Sequence, residues 1–196
     1  MDGKTQRSAE WTRRLARILP ASALALALAL LLAGCAGVGH RAEPGLLTSA
    51  VERANWPRPP GAAVSVPVER VIDGDTFVAV LGGRPLRIRI IGVNTPETVA
   101  PGRPVERYGP QASAFAKREL TGVTVRLSGD VESHDHFGRL LAYVWLPDGT
   151  FFNALLAAEG YAQQMTIPPN VAYAGLFRQL VAEAHAAHRG LWGPSG

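Results

Sequence analysis

Three short polar segments hold the residue types that phosphate chemistry needs. They are residues 72–76, 89–97 and 135–139. Carboxylate and amide oxygens with no cysteine nearby suit a hard cation such as Ca²⁺. Two arginines, Arg89 and Arg139, suit a phosphate, because a guanidinium donates paired N–H bonds to it. One further acid, Glu97, suits proton transfer from water, and together these groups indicate phosphodiester hydrolysis.

Each segment taken alone also has a purely structural interpretation. Asp-Gly is a common turn dipeptide, so Asp73 and Asp75 could simply shape a hairpin. Arg89 and Arg139 could be exposed strand residues whose stems cover apolar surface. All three segments, however, lie where a predicted strand meets a turn, which is where a scaffold exposes functional groups while holding them still. This shared placement favours a functional site.

Hydrophobic periodicity predicts the elements that must position these segments. Alternation predicts five strands, near residues 64–68, 76–81, 86–90, 123–127 and 140–146. Helical spacing predicts three helices: one that opens at Gly109-Pro110 and stops at Gly122, a short one that Asn153 caps, and one from Tyr173 towards Gly190. Residues 92–104 are expected to form a loop. The prediction is an α+β domain, a five-stranded OB-type β-barrel with three helices.

The first 34 residues are typical of an export signal. A basic segment precedes an apolar run from Ile18 to Ala33, which is short for a transmembrane helix. The run closes with Leu32-Ala33-Gly34-Cys35, which resembles a bacterial lipobox and implies cleavage before Cys35 and lipidation of its thiol. A plain signal peptide or an uncleaved anchor is the alternative. The predicted organisation is a signal peptide at 1–34, a lipidated cysteine and Pro/Gly-rich tether at 35–63, and one domain at 64–194.

The charge of the chain gives no separate indication of a nucleic-acid partner. The sequence has 20 basic and 16 acidic residues, a net charge of +4. Five of the basic and two of the acidic residues lie in residues 1–34, so residues 35–196 hold 15 and 14, a net charge of +1. Recognition of phosphate must therefore come from the local placement of arginines rather than from bulk charge.

The polar motifs of the domain, in their order and spacing, resemble the staphylococcal nuclease family. Its Asp-Gly-Asp-Thr motif is matched at residues 73–76, and Arg89 keeps the family's spacing to Thr95-Pro96-Glu97. Its Tyr-Gly-Pro helix start and Tyr-Gly-Arg strand correspond to residues 108–110 and 137–139. The match runs from about residue 64 to residue 192. It implies an OB-type fold and a Ca²⁺-dependent endonuclease that acts on DNA and RNA with little sequence preference and leaves 3′-phosphate ends.

The resemblance also implies a role for each matching residue. Asp75 would bind Ca²⁺ with Asn94 and the Thr95 carbonyl beside it, and Asp73 would hold that set in shape from behind. Glu97 would accept a proton from the attacking water or orient it. Arg89 and Arg139 would bind the scissile phosphate and offset the charge of the transition state. The residues assigned to substrate binding are Arg103, His136 and Phe137.

Two departures from the family pattern bear on these roles. Asn94 stands where the family has a second metal-binding aspartate, so the site loses one negative charge and is expected to bind Ca²⁺ more weakly, which leaves another divalent ion possible. Phe137 replaces a tyrosine, and residues 165–171 lack the family's tyrosine pair. Nucleotide binding is expected to be weaker, because stacking contributes about 1–3 kcal/mol per base.

Alternatives remain at the level of the sequence. A non-catalytic nucleic-acid- or protein-binding module of the same fold is the rival, and a phosphodiesterase acting on small nucleotides or a phosphate polymer has the same reacting group. The expected partners are DNA, RNA and, through Cys35, a bacterial membrane. The domain is expected to lie outside the cytoplasm, in a periplasm or at the cell surface, as a monomer with no inferred protein partner.

Overall fold

Seven strands and three helices are found in the part of the chain that the computed structural model describes, which is residues 56–59, 62–98, 102 and 104–194. The strands are β1 Val64–Asp73, β2 Thr76–Leu81, β3 Arg84–Ile90, β4 Gly92–Asn94, β5 Thr124–Ser128, β6 Leu140–Trp145 and β7 Gln163–Met165. The helices are α1 Gly109–Leu120, α2 Phe152–Ala158 and α3 Ala174–Ala186, and a 3₁₀ turn follows at Gly190–Trp192. The predicted signal peptide, Cys35 and Arg103 lie outside the described residues.

Five of the strands close into a barrel in the order β1-β2-β3-β6-β5. Four neighbouring pairs are antiparallel, and β3 pairs with β6 in parallel, with Ile88 opposite Leu140. Inward residues such as Ile88 and Ile90 are buried, whereas Arg87, which precedes them on the opposite face, is exposed, as a half-buried strand requires. The predicted OB-type barrel with three helices is confirmed.

A two-stranded ribbon of β4 and β7 lies outside the barrel and was not predicted. Residues 92–104 were expected to be a loop, but Gly92–Asn94 pairs antiparallel with Gln163–Met165. Strands of three residues are too short to show alternation, so the sequence pattern gives no sign of them. Gly92 has φ 83° and a Cβ there would lie 2.2 Å from the Phe177 ring, so this position needs glycine.

The helices begin and end close to the predicted residues, with one exception. Pro110 lies in the first turn of α1, as predicted, and Gly122 follows its end with φ 72°. The prediction that Asn153 caps α2 is wrong, because the helix already begins at Phe152. The buried amide of Asn153 instead accepts a bond from the Val144 N–H (2.8 Å) and donates to the Ile91 carbonyl (2.9 Å). It thereby joins β6 to the turn after β3.

The chain already contacts the barrel ahead of β1. Trp56 is buried within the core cluster, and the Pro57 carbonyl accepts a hydrogen bond from the Trp145 indole at 2.7 Å. Trp145 and Tyr143 are themselves fully buried, which confirms the prediction that they belong to the barrel rather than to a base-stacking surface. Within the described residues, no helix is long and apolar enough to cross a membrane.

Candidate active site

The turn between β1 and β2 forms the floor of the site. Asp75 is buried in this turn, and its two carboxylate oxygens accept bonds from the Thr95 N–H (2.8 Å) and the Thr76 hydroxyl (3.0 Å). A Cβ at Gly74 would lie 2.7 Å from the Thr95 side chain, so only glycine lets the turn come this close to residue 95. The Asp-Gly-Asp segment therefore shapes a turn and also presents a carboxylate.

Asp73 joins this turn to the loop that follows β4. One of its oxygens accepts bonds from the Gly74 N–H and the Thr98 hydroxyl, both at 2.8 Å, and the other accepts from the Thr98 N–H at 3.2 Å. Burial raises the pKa of Asp73, the Thr98 and Gly74 bonds oppose that rise, and a hydrogen bond with the Glu97 carboxyl adds to it. With its oxygens so engaged, Asp73 holds the loop in place.

Arg89, on β3, has a nearly buried guanidinium that backbone carbonyls hold. Its Nη1 donates to the carbonyls of Ile90 (2.6 Å) and Val93 (2.9 Å). Its Nη2 donates to the Asn94 amide oxygen (2.9 Å) and lies 3.3 Å from an Asp75 carboxylate oxygen. Burial lowers the pKa of Arg89, and the nearby charge of Asp75 opposes this. The fold has therefore fixed the orientation of the guanidinium.

Arg139 reaches the same region from the turn that precedes β6. The parallel pairing of β3 with β6 brings it beside Arg89, and its positive charge contributes to lowering the pKa of Arg89. Its Nε donates to an Asp135 carboxylate oxygen at 2.6 Å. The other Asp135 oxygen accepts the backbone N–H groups of Phe137 and Arg139, both at 2.9 Å.

The ion pair of Asp135 with Arg139 is a contact of the candidate site that sequence reasoning missed. Burial acts to raise the pKa of Asp135, but the hydrogen bonds from the Arg139 backbone and side chain outweigh it and lower the pKa. The only signal in the sequence is an aspartate two residues before Phe137, whose N–H donates a hydrogen bond to it, which is the pattern of an Asx turn. That pattern predicts the turn but not the ion pair with Arg139.

Two exposed rings lie next to Arg139. Phe137 is 71% exposed, its ring is 3.7 Å from the His136 ring between centroids, and the Arg139 guanidinium lies 5.3 Å above it. The structure thus places both predicted substrate-binding residues of this segment at the surface, beside the arginine. Their role in binding, like that of Arg103, stays a prediction.

Glu97 is half-buried in the loop after β4, and its carboxylate contacts the backbone of that loop. The carboxylate accepts a bond from the Thr98 N–H at 3.0 Å and also bonds to Asp73, while the Glu97 N–H donates to Glu106 at 3.1 Å. These contacts place an acid beside the turn that carries Asp75. Thr98 and Glu106, which help to hold it, carry no motif signal in the sequence.

The residues around Asp75 fit a hard cation. Its carboxylate, the Asn94 amide and Thr95 offer oxygen atoms only, and the Thr95 hydroxyl is buried with no hydrogen-bond partner among the described residues. The same part of the chain contains no group of three or more His, Cys, Asp or Glu side chains placed to hold a metal ion. A site of one carboxylate with neutral oxygens suits Ca²⁺ or Mg²⁺ rather than a softer transition metal.

Comparison with known proteins decides the family. A sequence profile described as Staphylococcal nuclease homologue matches residues 87–194. The chain belongs to the staphylococcal nuclease family. It is 49% identical over 125 residues to a thermonuclease of Staphylococcus intermedius and 45% identical over 125 residues to that of Staphylococcus hyicus. These matches cover 64% of this chain and 74% and 73% of the two relatives.

A more distant relative supports the same assignment. Endonuclease YncB of Bacillus subtilis (strain 168) is 36% identical over 135 residues, which is 68% of this chain and 64% of the relative. The predicted family, fold and enzyme class of this nuclease are thereby confirmed. The matched region includes both arginines and Glu97, and the turn with Asp73 and Asp75 lies just before the residues that the family profile covers.

Proposed function

We propose that this nuclease is a Ca²⁺-dependent endonuclease that hydrolyses DNA and RNA with little sequence preference and leaves 3′-phosphate ends. The observation that carries the proposal is the convergence of Arg89, Arg139, Asp75 and Glu97 at the turns of one barrel. The printed names of the relatives, thermonuclease and endonuclease, support the same chemistry.

Asp75, Asn94 and Thr95 would hold the cation. When bound, Ca²⁺ would polarise the phosphate and favour ionisation of the attacking water. Asn94 supplies an oxygen without a charge, so we propose that the affinity for Ca²⁺ is lower than that of a site with two carboxylates. Asp73 takes no direct part but keeps the loop carrying Thr95 against the turn, because it binds both the N–H and the hydroxyl of Thr98.

Both arginines keep donors for a phosphate after their contacts within the protein are met. The Nη1 of Arg89 is used by two carbonyls, and Nη2 donates to the Asn94 amide oxygen and, weakly, to the Met165 sulfur at 3.8 Å, so Nε–H and the weakly held Nη2–H are open to a phosphate. Arg139 uses Nε for Asp135, so its Nη groups remain. Fixed donors of this kind stabilise the charge that develops on a phosphorane-like transition state without reorganisation.

Glu97 would accept the proton of the attacking water or orient it. A general base must lie within hydrogen-bond reach of its proton in the substrate complex. The carboxylate of Glu97 is tied to the Thr98 N–H and to Asp73, which fixes it next to the Asp75 turn.

We propose that the protein acts outside the cytoplasm, where a lipid on Cys35 anchors it to a membrane. The support is the sequence of residues 32–35 and the apolar run before it. We also propose that the protein acts as a monomer.

The test is cleavage of single- and double-stranded DNA and of RNA by the full chain in detergent, with Ca²⁺, Mg²⁺, Mn²⁺ or chelator. Glu97→Gln is the matched control, because it keeps the shape and removes the base. We expect cleavage with Ca²⁺, 3′-phosphate ends, and at least about a 100-fold loss in the variant. Cleavage with another ion only would overturn the metal assignment, and salt-sensitive binding without cleavage would favour a binding module.

A further inference from the structure

A methionine sulfur lies against the guanidinium of Arg89. Met165 is the last residue of β7, where it pairs with Gly92 of β4, and its Sδ is 3.8 Å from the Arg89 Nη2. The side chain is 41% exposed. The sequence has two methionines, Met1 and Met165, and Met1 lies outside the described residues. Met165 is therefore the one thioether within the described residues.

We propose that Met165 is an oxidation site whose sulfoxide lowers the activity of this nuclease by competing with the substrate phosphate for Arg89. A thioether sulfur is a weak hydrogen-bond acceptor, whereas a sulfoxide oxygen is strongly polar. The inference rests on the proposed function in one respect, which is that Arg89 binds the phosphate.

The sulfoxide oxygen and the substrate phosphate would compete for the same hydrogen-bond donor, the Nη2 of Arg89. Nη1 of Arg89 is held by the Ile90 and Val93 carbonyls, so the guanidinium cannot turn away from residue 165 without breaking two hydrogen bonds. The pairing of β4 with β7 likewise keeps the backbone of Met165 in place. A new acceptor on the sulfur therefore meets Nη2, which in the parent donates to the Asn94 amide oxygen and, only weakly, to the thioether.

The chemistry needs only a peroxide. The sulfur lone pair attacks one peroxide oxygen, the S–O bond forms and the O–O bond breaks. The sulfur is oxidised by two electrons, the peroxide is reduced, and the departing hydroxide takes the proton of the new S–OH group to give the sulfoxide and water. The product, methionine sulfoxide, is returned to the thioether by methionine sulfoxide reductases, so the change is reversible.

The test treats the full chain in detergent with hydrogen peroxide and maps oxidised peptides by mass spectrometry, while each sample's cleavage rate is compared with that of its own untreated protein. We expect Met165 to oxidise in the folded chain, the rate to fall about tenfold as one charge-assisted hydrogen bond is diverted, and reductase treatment to restore it. Met165→Leu, which conserves volume, is the control and should resist peroxide, whereas Met165→Gln should be slow without peroxide.

Equal inactivation of the parent and Met165→Leu would overturn the inference, as would complete oxidation of Met165 with no change in rate. A second readout separates it from the proposed function: the ¹⁵Nε signal of Arg89, which should shift on oxidation in the parent and not in Met165→Leu. If the ¹⁵Nε signal shifts on oxidation although the chain shows no cleavage, the nuclease proposal fails and the contact between Arg89 and the sulfoxide stands. If the chain cleaves and the signal does not shift, the oxidation proposal fails.

Discussion

The two arginines of the site are held in opposite ways. Arg89 lies on a barrel strand with an 11% exposed side chain, and several groups hold it, among them two backbone carbonyls, the Asn94 amide and the Asp75 carboxylate. Arg139 lies in a turn with a 23% exposed side chain, and a single carboxylate, that of Asp135, holds it. The first arginine is therefore part of the fold and the second depends on one side chain. This difference gives different expectations for stability and for activity.

The largest effect is expected from Arg89→Ala. It removes the proposed phosphate contact, which should lower the cleavage rate about 1000-fold, and it leaves the carboxylate of Asp75 and two carbonyls without their donor. Losing such buried partners costs about 1–3 kcal/mol, so the free energy of unfolding should fall as well. Urea denaturation beside a cleavage assay checks both. An unchanged denaturation midpoint would contradict the view that Arg89 supports the fold.

Arg139→Ala should lower activity by about 100-fold or more but change the unfolding free energy by less than about 1 kcal/mol, the usual size for a partly exposed ion pair. The same two measurements apply. If this variant is destabilised as much as Arg89→Ala, the two arginines do not differ in the way proposed here.

Asp135→Asn tests whether one carboxylate orients Arg139. The amide keeps the shape and can still accept the two backbone bonds, so we expect about a tenfold loss of activity from a less fixed guanidinium. The pKa of Asp135 is lowered in the fold, so its stabilisation is complete above the ordinary value of 3.8 and is lost as the pH falls through the lowered value. Acid unfolding of the parent should therefore depend more steeply on pH there than that of the variant.

The smallest effect is expected from Asn94→Asp, which adds one negative charge to the proposed cation ligands at the position that accepts a hydrogen bond from Arg89. The Ca²⁺ concentration for half-maximal activity should fall, by about tenfold, because ligand charge sets Ca²⁺ affinity. A calcium titration of the cleavage rate of the parent and the variant measures it. An unaltered titration would show that residue 94 does not bind the cation.

The sequence predicted the parts of this molecule whose pattern is local. The alternation of Ile88 and Ile90 marked β3, and Gly109-Pro110 marked the start of α1. The Asp-Gly-Asp and Arg–Thr-Pro-Glu motifs marked the candidate site, because their residue types and spacing are themselves the signal; the roles of these residues stay predictions. Each of these rests on a few consecutive residues or on a regular period.

Contacts between distant residues could not be predicted in the same way. The β4–β7 ribbon joins two three-residue strands that lack a period, and it is what brings Met165 to Arg89. Asn153 favours a helix cap by its type, but its amide is taken by Val144 and Ile91 across the core. In both cases a residue distant in sequence determines the local structure, and local sequence patterns do not identify that residue.

The parallel pairing of β3 with β6 has a consequence for how the enzyme comes into being. Arg89 lies on β3 and Arg139 directly precedes β6, and these two strands are far apart along the chain and meet only where the sheet closes on itself. Such non-local pairings are among the slower events of folding, because they carry the largest loop-closure entropy. A chain whose barrel has not closed has no paired guanidinium groups to hold a phosphate. We therefore expect the chain to gain its activity late in folding, once β3 and β6 have paired.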